Sequence, residues 1–362
     1  MKLLPAFILL AAAPFAVLSS AAQTTPSPAL LILSKTDHAL AIVDPTTLQV
    51  VGHVPVGEDP HEIVASADGK TAYVSNYGFG AFHTITPIDL VAQKQLTPID
   101  LGALRGPHGL MFQDGKVWFT AEAAKAIGSY DPASGKIDWI MGIGQNRTHM
   151  IYVFPGARRI ITTNVNSGTV TILDKFDTYP AGGRPPMPPP PGTGTPGPPS
   201  GPPGGMPLGP ILPPGGDWQL TNIAAGERNE GFDVTPDLKH AWTVSPVDAK
   251  VYIIDVNEKK VTATIDANAQ RANRLKFTPD GKLALISAGP EFVVIDVASR
   301  KVIKRITTGH GSGGVLVEPD GARAFVACSP DGYVAVIDLK SLAIVAHIQP
   351  GGNPDGMAWA VR

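Results

Sequence analysis

Short runs of β-branched and other apolar residues, each closed by an aspartate, recur along most of the chain. Successive aspartates of this kind are 45, 42, 43, 81, 41 and 42 residues apart. They are Asp44, Asp89, Asp131, Asp174, Asp255, Asp296 and Asp338. Turn signals such as Asp68-Gly69-Lys70 and Asp280-Gly281-Lys282 form a second series with the same period. Two series that share one period indicate an internal repeat.

Each repeat unit predicts four short strands. In the second unit these cover residues 61–66, 71–75, 83–88 and 95–101. Strands of four to seven residues separated by Gly/Asp turns are hairpin signals, and a unit of about 40–45 residues with four strands is typical of a propeller blade. No segment keeps a 3.6-residue apolar period, so we expect almost no helix.

The repeat units predict seven blades in a closed ring. The first blade starts with Ala29–Ser34 and has no inner strand before it. Residues 355–359 match the inner-strand pattern and have no blade of their own. We therefore expect an all-β fold, a seven-bladed β-propeller of four-stranded antiparallel blades, in which the C-terminal strand joins blade one. Such closure removes exposed sheet edges.

The one long interval contains a proline-rich stretch. Sixteen of the 35 residues from Pro180 to Pro214 are proline, interleaved with glycine. Such a composition cannot bury apolar surface, so we expect a disordered Pro/Gly-rich insert over 180–217 within a single domain. Because the insert leaves between the third and fourth strands of its blade, it should project from the face opposite the candidate site, where it could dock a protein partner.

The first 22 residues have the pattern of a secretory signal peptide. Lys2 precedes an apolar run from Leu3 to Leu18, and small residues lead to a cleavage site after Ala22. The run is short for a membrane span. We therefore expect a periplasmic or secreted protein whose single propeller domain covers 23–362.

Composition and charge exclude several classes. The net charge is −2 and no basic block occurs, so nothing indicates nucleic-acid binding. A single cysteine, Cys328, excludes a disulfide framework, a CxxC redox pair, a cysteine zinc cage and a covalent c-type haem. No other stretch is long and apolar enough to predict a membrane span.

The repeat resembles that of the YVTN-repeat β-propellers. One strand reads Ala72-Tyr73-Val74-Ser75-Asn76, and Pro107-His108-Gly109, Asp-Gly-Lys turns and closing Ile-Asp pairs complete the pattern. The resemblance covers roughly residues 29–361 apart from the insert. It implies a surface-layer or periplasmic propeller, related in shape to lactonases, amine-dehydrogenase heavy chains and nitrite-reductase propellers.

The blade topology predicts which residues crowd the axis. The loop before the inner strand and the loop between strands two and three lie on one face. The first inner-strand residues there are His61, His108, His149, Glu230, Asn273, Gly313 and Asp355. Three histidines from consecutive blades followed by a carboxylate suit Zn, Cu, Fe or Ni, so we predict His61, His108, His149 and Glu230 as metal ligands. Glu230 could instead be a general base. Alternatively, the histidines belong to the repeat and bond loop carbonyls.

Three arginines precede these axial positions by two residues. Guanidinium groups of Arg147, Arg228 and Arg271 around a concave mouth favour a carboxylate or phosphate, with Asn273 and Asp355 beside them. Alternatively, these arginines are solvated and pair with Glu58, Glu227 or other neighbours. Residues of the loops between strands two and three should lie further out: Tyr77, His83, Glu122, Asn164 and Asp248.

Two function classes remain open. The first is an extracytoplasmic binding or scaffold protein whose axial mouth takes a small, anionic ligand or a protein partner. The second is a metal-assisted hydrolase or lyase, or a lactonase-like enzyme, in the same mouth. No GxSxG elbow, P-loop, HExxH or EF-hand motif occurs, which favours the first class.

Overall fold

The computed structural model describes residues 24–177 and 216–362. Over these two ranges the chain forms seven antiparallel blades of a β-propeller, as the repeat predicts. The predicted signal peptide and residues 180–215 of the predicted insert lie outside the described residues. Within the described ranges, no helix has the length and apolar character needed to cross a bilayer.

Each blade runs outward from an inner strand at the axis, and the first four blades carry the histidines and the insert. Blade 1 consists of Pro354–Ala360, Ala29–Ser34, Ala39–Asp44 and Gln49–Pro55. Blade 2 consists of Pro60–Ala65, Thr71–Asn76, Thr84–Asp89 and the outer pieces Lys94–Gln95 and Ile99–Asp100. Blade 3 consists of Pro107–Gln113, Lys116–Ala121, Ala126–Asp131 and Lys136–Gly142. Blade 4 consists of Thr148–Val153, Arg159–Asn164, Thr169–Phe176 and Asp217–Ala224.

The last three blades complete the ring. Blade 5 consists of Phe232–Val234, His240–Ser245, Lys250–Asp255 and Lys260–Asp266. Blade 6 consists of Ala272–Phe277, the long strand Leu283–Asp296 and Lys301–Ser312. Blade 7 consists of Val315–Val317, Arg323–Cys328, Tyr333–Asp338 and Ala343–Ile348. The helical residues of the described ranges form short 3₁₀ turns at Gly78–Gly80, Pro155–Ala157, Val165–Ser167 and Ser329–Asp331.

Two blades depart from the predicted strand bounds. The outer strand of blade 2, expected to be continuous over 95–101, is broken because Pro98 has no N–H to donate to the ladder. In blade 6 the second and third strands run together through Gly289, whose φ of 60° is a conformation that glycine adopts without strain. Neither change disturbs the inner strands, which carry the axial residues.

The C-terminal strand closes the ring, as predicted. Pro354–Ala360 pairs antiparallel with Ala29–Ser34, so that chain end and chain start share blade 1. The backbone N–H of Arg362 donates to Ser27 Oγ at 2.9 Å beyond the strand. The ring is therefore held by backbone pairing as well as by packing between blades.

The two described flanks of the insert meet at one end of blade 4. Phe176 pairs with Asp217 there, whereas Thr169 pairs with Ala224 at the other end of the same hairpin. The end at Thr169 is the one next to Asn164, which faces the start of the inner strand. The chain thus leaves blade 4 and returns to it at the end away from the inner-strand start.

The hydrophobic core is divided among the spaces between neighbouring blades. Each space is filled by side chains from facing sheets; one of these clusters joins blades 1 and 2 through Leu31, Ile42, Val74 and Ile88. Near the axis the inner strands approach backbone to backbone. A Cβ on Gly109 would lie 2.5 Å from the His149 carbonyl oxygen, a distance that no side chain tolerates. This close approach brings the first inner-strand residues of adjacent blades together.

Candidate functional site

A cavity of about 350 Å³ opens on the axis at the face where the inner strands begin. Eight of the residues predicted from the sequence line it: His61, Tyr77, Arg147, Glu230, Arg271, Asn273, Gly313 and Asp355. Arg228 lines an adjoining cavity that shares Arg147 and Arg271 with the first. His108 and His149 are fully buried beside the cavity. The predicted metal ligands and ligand-binding residues therefore lie at or beside one mouth.

The three histidines of blades 2, 3 and 4 form a row. The ring centroids of His61 and His108 are 4.3 Å apart, and those of His108 and His149 are 3.6 Å apart. The row follows from the close approach of the inner strands, because each histidine occupies the same place in its blade. Tyr77, the residue after the second strand of blade 2, packs edge-on against His108.

His108 is fully buried, and neither of its ring nitrogens has a hydrogen-bond partner in the described part of the chain. Burial, followed by the charges of His149 and His61, holds the pKa of His108 well below its usual value, so the imidazole is neutral. A neutral imidazole still carries one N–H and one lone pair. Leaving both unpaired in the interior is costly, which points to a missing partner.

His149 lies between two carboxylates. Its Nδ1 contacts Glu122 Oε1, and its Nε2 lies 2.9 Å from Glu230 Oε1 without the angle of a hydrogen bond. Burial lowers the pKa of His149, but the charges of Glu230 and Glu122 outweigh burial and raise it overall. Without a bound cation, the proton of His149 therefore balances part of the negative charge here.

Tyr77 lines the axial cavity, so the prediction placed it too far from the centre. Glu122 also lies closer to the centre than predicted. It follows the second strand of blade 3, is buried, and accepts a hydrogen bond from the Tyr77 hydroxyl. One ligand atom each from His108, Glu122 and His149 lies within 4.8 Å of the others, so this group could hold a metal ion. His61 and Glu230 are not part of the group. The sequence signal for the burial of Glu122 is that it is the one charged residue among the alanines from Ala121 to Ala124.

His61 faces the cavity as a hydrogen-bond donor. Lys35 Nζ contacts His61 Nδ1 and lies 3.0 Å from Asp59 Oδ1 and 3.4 Å from Asp355 Oδ2. Burial, followed by the Lys35 charge, lowers the pKa of His61 to about 3. An ammonium group only donates, so Nδ1 must accept and the proton must sit on Nε2. In this arrangement neither ring nitrogen of His61 has a lone pair free for a metal.

Glu230 is an ionised carboxylate held by three neighbours. Arg147 Nη2 donates to its Oε1 at 3.1 Å and Asn273 Nδ2 to its Oε2 at 3.2 Å. Burial raises the pKa of Glu230, but the charges of His149 and the nearby arginines lower it far below its usual value overall. A carboxylate with so low a pKa is a weak base. Its contacts favour a role in orienting His149 and Arg147.

A buried ion pair crosses the axis below the mouth. Arg274 of blade 6 donates to Glu62 of blade 2 and to Asn273 Oδ1. Arg274 lines both the axial cavity and a second cavity at the other end of the channel, which Glu62 also lines. Glu62 raises the pKa of Arg274 against the opposing effect of burial, so the guanidinium stays charged. The Arg274–Glu62 ion pair therefore lies between the axial cavity and the cavity at the other end of the channel.

The three mouth arginines share an unusual backbone conformation. Arg147, Arg228 and Arg271 have φ of 57°, 56° and 58°. The same position holds Asp59, Gly106 and Asn353 in blades 2, 3 and 1, also with positive φ. Glycine, asparagine and aspartate tolerate this conformation, whereas arginine does so at a cost. The repeat therefore has arginine where its geometry favours other residues.

Two of these arginines are available to a ligand. Arg147 is engaged, since its Nε lies 3.5 Å from Glu122 Oε1 and its Nη2 bonds Glu230. The guanidinium groups of Arg228 and Arg271 are exposed and make no hydrogen bond or ion pair with residues 24–177 or 216–362. Glu58 and Glu227, the partners considered as an alternative, do not pair with them.

The remaining loop residues have structural partners. His83 Nδ1 lies 2.8 Å from Asp100 Oδ1, and Asp248 accepts from the Tyr252 hydroxyl at 2.7 Å. Asn164 is buried and bonds Thr148 and Thr171 within blade 4. None of these three lines the axial cavity.

The chain matches no family model and no curated protein, so the YVTN-repeat assignment stays a resemblance. Solved structures share the fold. A functionally unknown protein from Desulfotomaculum acetoxidans has a TM-score of 0.70 and 12% identity, over 92% of this chain and 99% of that chain. A 6-phosphogluconolactonase-like protein from Bacteroides fragilis has a TM-score of 0.65 and 12% identity, over 92% and 98%. The dihydro-heme d1 dehydrogenase NirN, in complex with DHE, has a TM-score of 0.58 and 14% identity, over 95% and 78%.

Proposed function

We propose that this chain is an exported binding protein whose axial mouth takes a small anionic molecule. The observation that carries the proposal is the pair of exposed, unpaired guanidinium groups of Arg228 and Arg271 at the rim of the mouth. Export rests on the signal-peptide pattern of residues 1–22. Guanidinium groups bind carboxylate and phosphate through paired N–H donors, which defines the expected ligand class.

The charges around the cavity support this class. Inside the mouth, Glu230 and Asp355 are already neutralised by Arg147 and Lys35. Among the charged side chains that line the two mouth cavities, those of Arg228 and Arg271 are left without a protein partner in the described part of the chain. His61 adds a neutral N–H donor on the cavity wall, which suits an oxygen of the ligand. The cavity volume of about 350 Å³ is that of a small-molecule site.

Anion binding can be tested with arginine substitutions matched by a distant control. A panel of small carboxylates and phosphate esters is titrated calorimetrically, and we expect some of these anions to bind. Their affinity should fall at least about tenfold in Arg271→Gln and in Arg228→Gln, because each variant removes a charge-assisted contact. Arg300→Gln is the control, since Arg300 is an exposed arginine of equal φ in a turn at the opposite end of blade 6.

Two results would contradict the proposal. One is that no anion in the panel binds. The other is that Arg300→Gln weakens binding as much as the mouth variants do, which would indicate a general charge effect of the surface.

A second candidate function is enzymatic, and the buried group of His108, Glu122 and His149 favours it. A Zn, Cu, Fe or Ni ion at this group would supply a Lewis acid and an activated water for a hydrolase or lyase. Among proteins of this fold are a 6-phosphogluconolactonase-like protein and a dehydrogenase. Arg228 and Arg271 would hold an anionic substrate, and Glu230 would orient His149. Turnover of an anionic lactone that a metal chelator abolishes would distinguish this enzyme from a binding protein.

A further inference from the structure

His108 poses a problem that the anion site does not solve. Its imidazole is fully buried, it does not line the axial cavity, and both its nitrogens lack a partner among the described residues. A ligand at the rim arginines would not reach a side chain with no exposed surface. The partner of His108 must therefore be small enough to fit inside the protein.

The surroundings of His108 identify the chemistry of that partner. The ligand atoms of His108, Glu122 and His149 lie within 4.8 Å of one another, so small side-chain shifts would let a single ion contact all three. Two imidazoles and one carboxylate are the protein ligands of several catalytic zinc sites, which keep a further position open. Imidazole nitrogen also selects against the hard ions Mg²⁺ and Ca²⁺.

We propose that His108, Glu122 and His149 bind one divalent transition-metal ion, with zinc as the ion that the donor set suits best. The ion takes the lone pair that His108 otherwise leaves unused. This site is distinct from the rim arginines, so either site can exist without the other.

The contacts around Glu122 fit this assignment. Its Oε2 accepts from the Tyr77 hydroxyl, and Arg147 Nε lies 3.5 Å from its Oε1. A hydrogen bond such as that from Tyr77 orients a ligand of a metal site, and the Arg147 ion pair adds a second contact. Glu230, which the sequence predicts as a ligand, lies 2.9 Å from His149 Nε2 but is outside the group. We assign Glu230 to positioning His149.

The test uses the full chain without a histidine tag. Metal analysis of the purified protein, followed by chelator treatment and calorimetric titration with Zn²⁺ alone, should give one ion per chain. We expect His108→Leu and Glu122→Gln to lose at least about 100-fold in Zn²⁺ affinity, because each removes a ligand. Glu230→Gln should keep one ion with a smaller loss. His310→Ala should change nothing, since His310 also pairs with a carboxylate, Asp331, but is exposed.

Thermal melting separates a lost ligand from a lost fold. Without metal, His108→Leu should melt at the parent temperature or above it, because it removes two unpaired buried nitrogens. With Zn²⁺ the parent should be stabilised and the variant should not. If His108→Leu does not fold, Glu122→Gln, which keeps the side-chain shape, carries the test.

Three outcomes would overturn the proposal. The first is that Zn²⁺ neither binds nor stabilises the parent protein. The second is that His108→Leu or Glu122→Gln keeps full Zn²⁺ affinity. The third is that Glu230→Gln abolishes binding while Glu122→Gln does not, which would make Glu230 the metal ligand and Glu122 the positioning residue. Because Zn²⁺ is titrated without any anion, none of these results depends on the proposed function.

Discussion

At the scale of single residues, the mouth arginines show a conflict between backbone preference and side-chain chemistry. The loop before the inner strand needs a left-handed residue, and Gly106 and Asn353 meet that need with little strain. Arg228 and Arg271 meet it at a cost in stability. Arg300 has the same conformation in a turn away from the mouth, so the functional reason for Arg228 and Arg271 rests on their place at the cavities and not on strain alone.

This conflict predicts opposite effects on stability and on binding. Arg271→Gly should raise the free energy of unfolding by up to about 1 kcal/mol, since glycine adopts the left-handed conformation freely. Thermal melting should show it as a small rise in Tm, while anion affinity falls. Arg300→Gly, with φ of 57° at the opposite end of blade 6, should stabilise the protein equally and leave anion binding unchanged. A fall in Tm for Arg271→Gly would mean that its guanidinium stabilises the fold instead.

Residue by residue, the sequence located the mouth better than it located the ligand atoms. The axial positions follow from the repeat, because each inner strand begins at the same place in its blade. Which nitrogen of His61 carries a proton depends on Lys35, which reaches it from blade 1 across 26 positions of sequence. The inward position of Glu122 likewise depends on its contacts with Tyr77 and His149. Spacing along the chain carries no information on such contacts between blades.

At the scale of the strand, the residue that follows the axial residue alternates from blade to blade between glycine and a larger residue. Blades 1, 3, 5 and 7 carry glycine there: Gly356, Gly109, Gly231 and Gly314. Blades 2, 4 and 6 carry Glu62, Met150 and Arg274. Each glycine lets its strand approach the backbone of the next blade. The larger residues can then fill the axis, where Arg274 and Glu62 pair.

Gly109 is the glycine that positions the histidine row. A Cβ at this position would meet the His149 carbonyl oxygen at 2.5 Å and Met150 Cα at 2.8 Å, and backbone cannot move aside as a side chain can. Gly109→Ala should therefore lower the free energy of unfolding by about 1–3 kcal/mol, as overpacking does, and weaken Zn²⁺ binding as well. Denaturant unfolding measures the first effect. Gly142→Ala is the control, because Gly142 ends the outer strand of the same blade with open space around it and no positive φ. Unchanged stability in Gly109→Ala would show that the blades do not touch there.

The existence of the strands was predictable, and their continuity only in part. The β-branched runs and the turn signals, which are Asp-Gly in blades 2, 3, 6 and 7, predict the hairpins because period-2 patterns and turn residues act locally. The break in the outer strand of blade 2 has a local cause, the missing N–H of Pro98. The fusion of two strands through Gly289 depends instead on which neighbouring strand each backbone group pairs with. Those pairings are set by the sheet as a whole.

At the scale of the whole molecule, the ring is closed by one strand from the far end of the chain. Pro354–Ala360 supplies the inner strand of blade 1, pairing Leu30 with Trp359 and Leu31 with Ala358. The Trp359 indole N–H also donates to the Val317 carbonyl of blade 7 at 3.0 Å. The repeat count predicted this closure, since one blade lacked an inner strand and one inner strand lacked a blade. The sequence could predict it because closure follows from counting units.

Removing the closing strand should therefore open the ring. Deleting residues 354–362 removes the backbone partners of Ala29–Ser34 and exposes the buried faces of blades 1, 2 and 7. The expected loss is comparable with the whole stability of an ordinary domain, about 5–15 kcal/mol, and should appear as a large fall in Tm or as failure to fold. Deleting Val361 and Arg362 alone is the control, because it leaves the strand intact. A synthetic peptide of residues 354–362 should bind the truncated protein and restore its melting transition. If the truncated protein melts like the parent, the closing strand does not hold the ring.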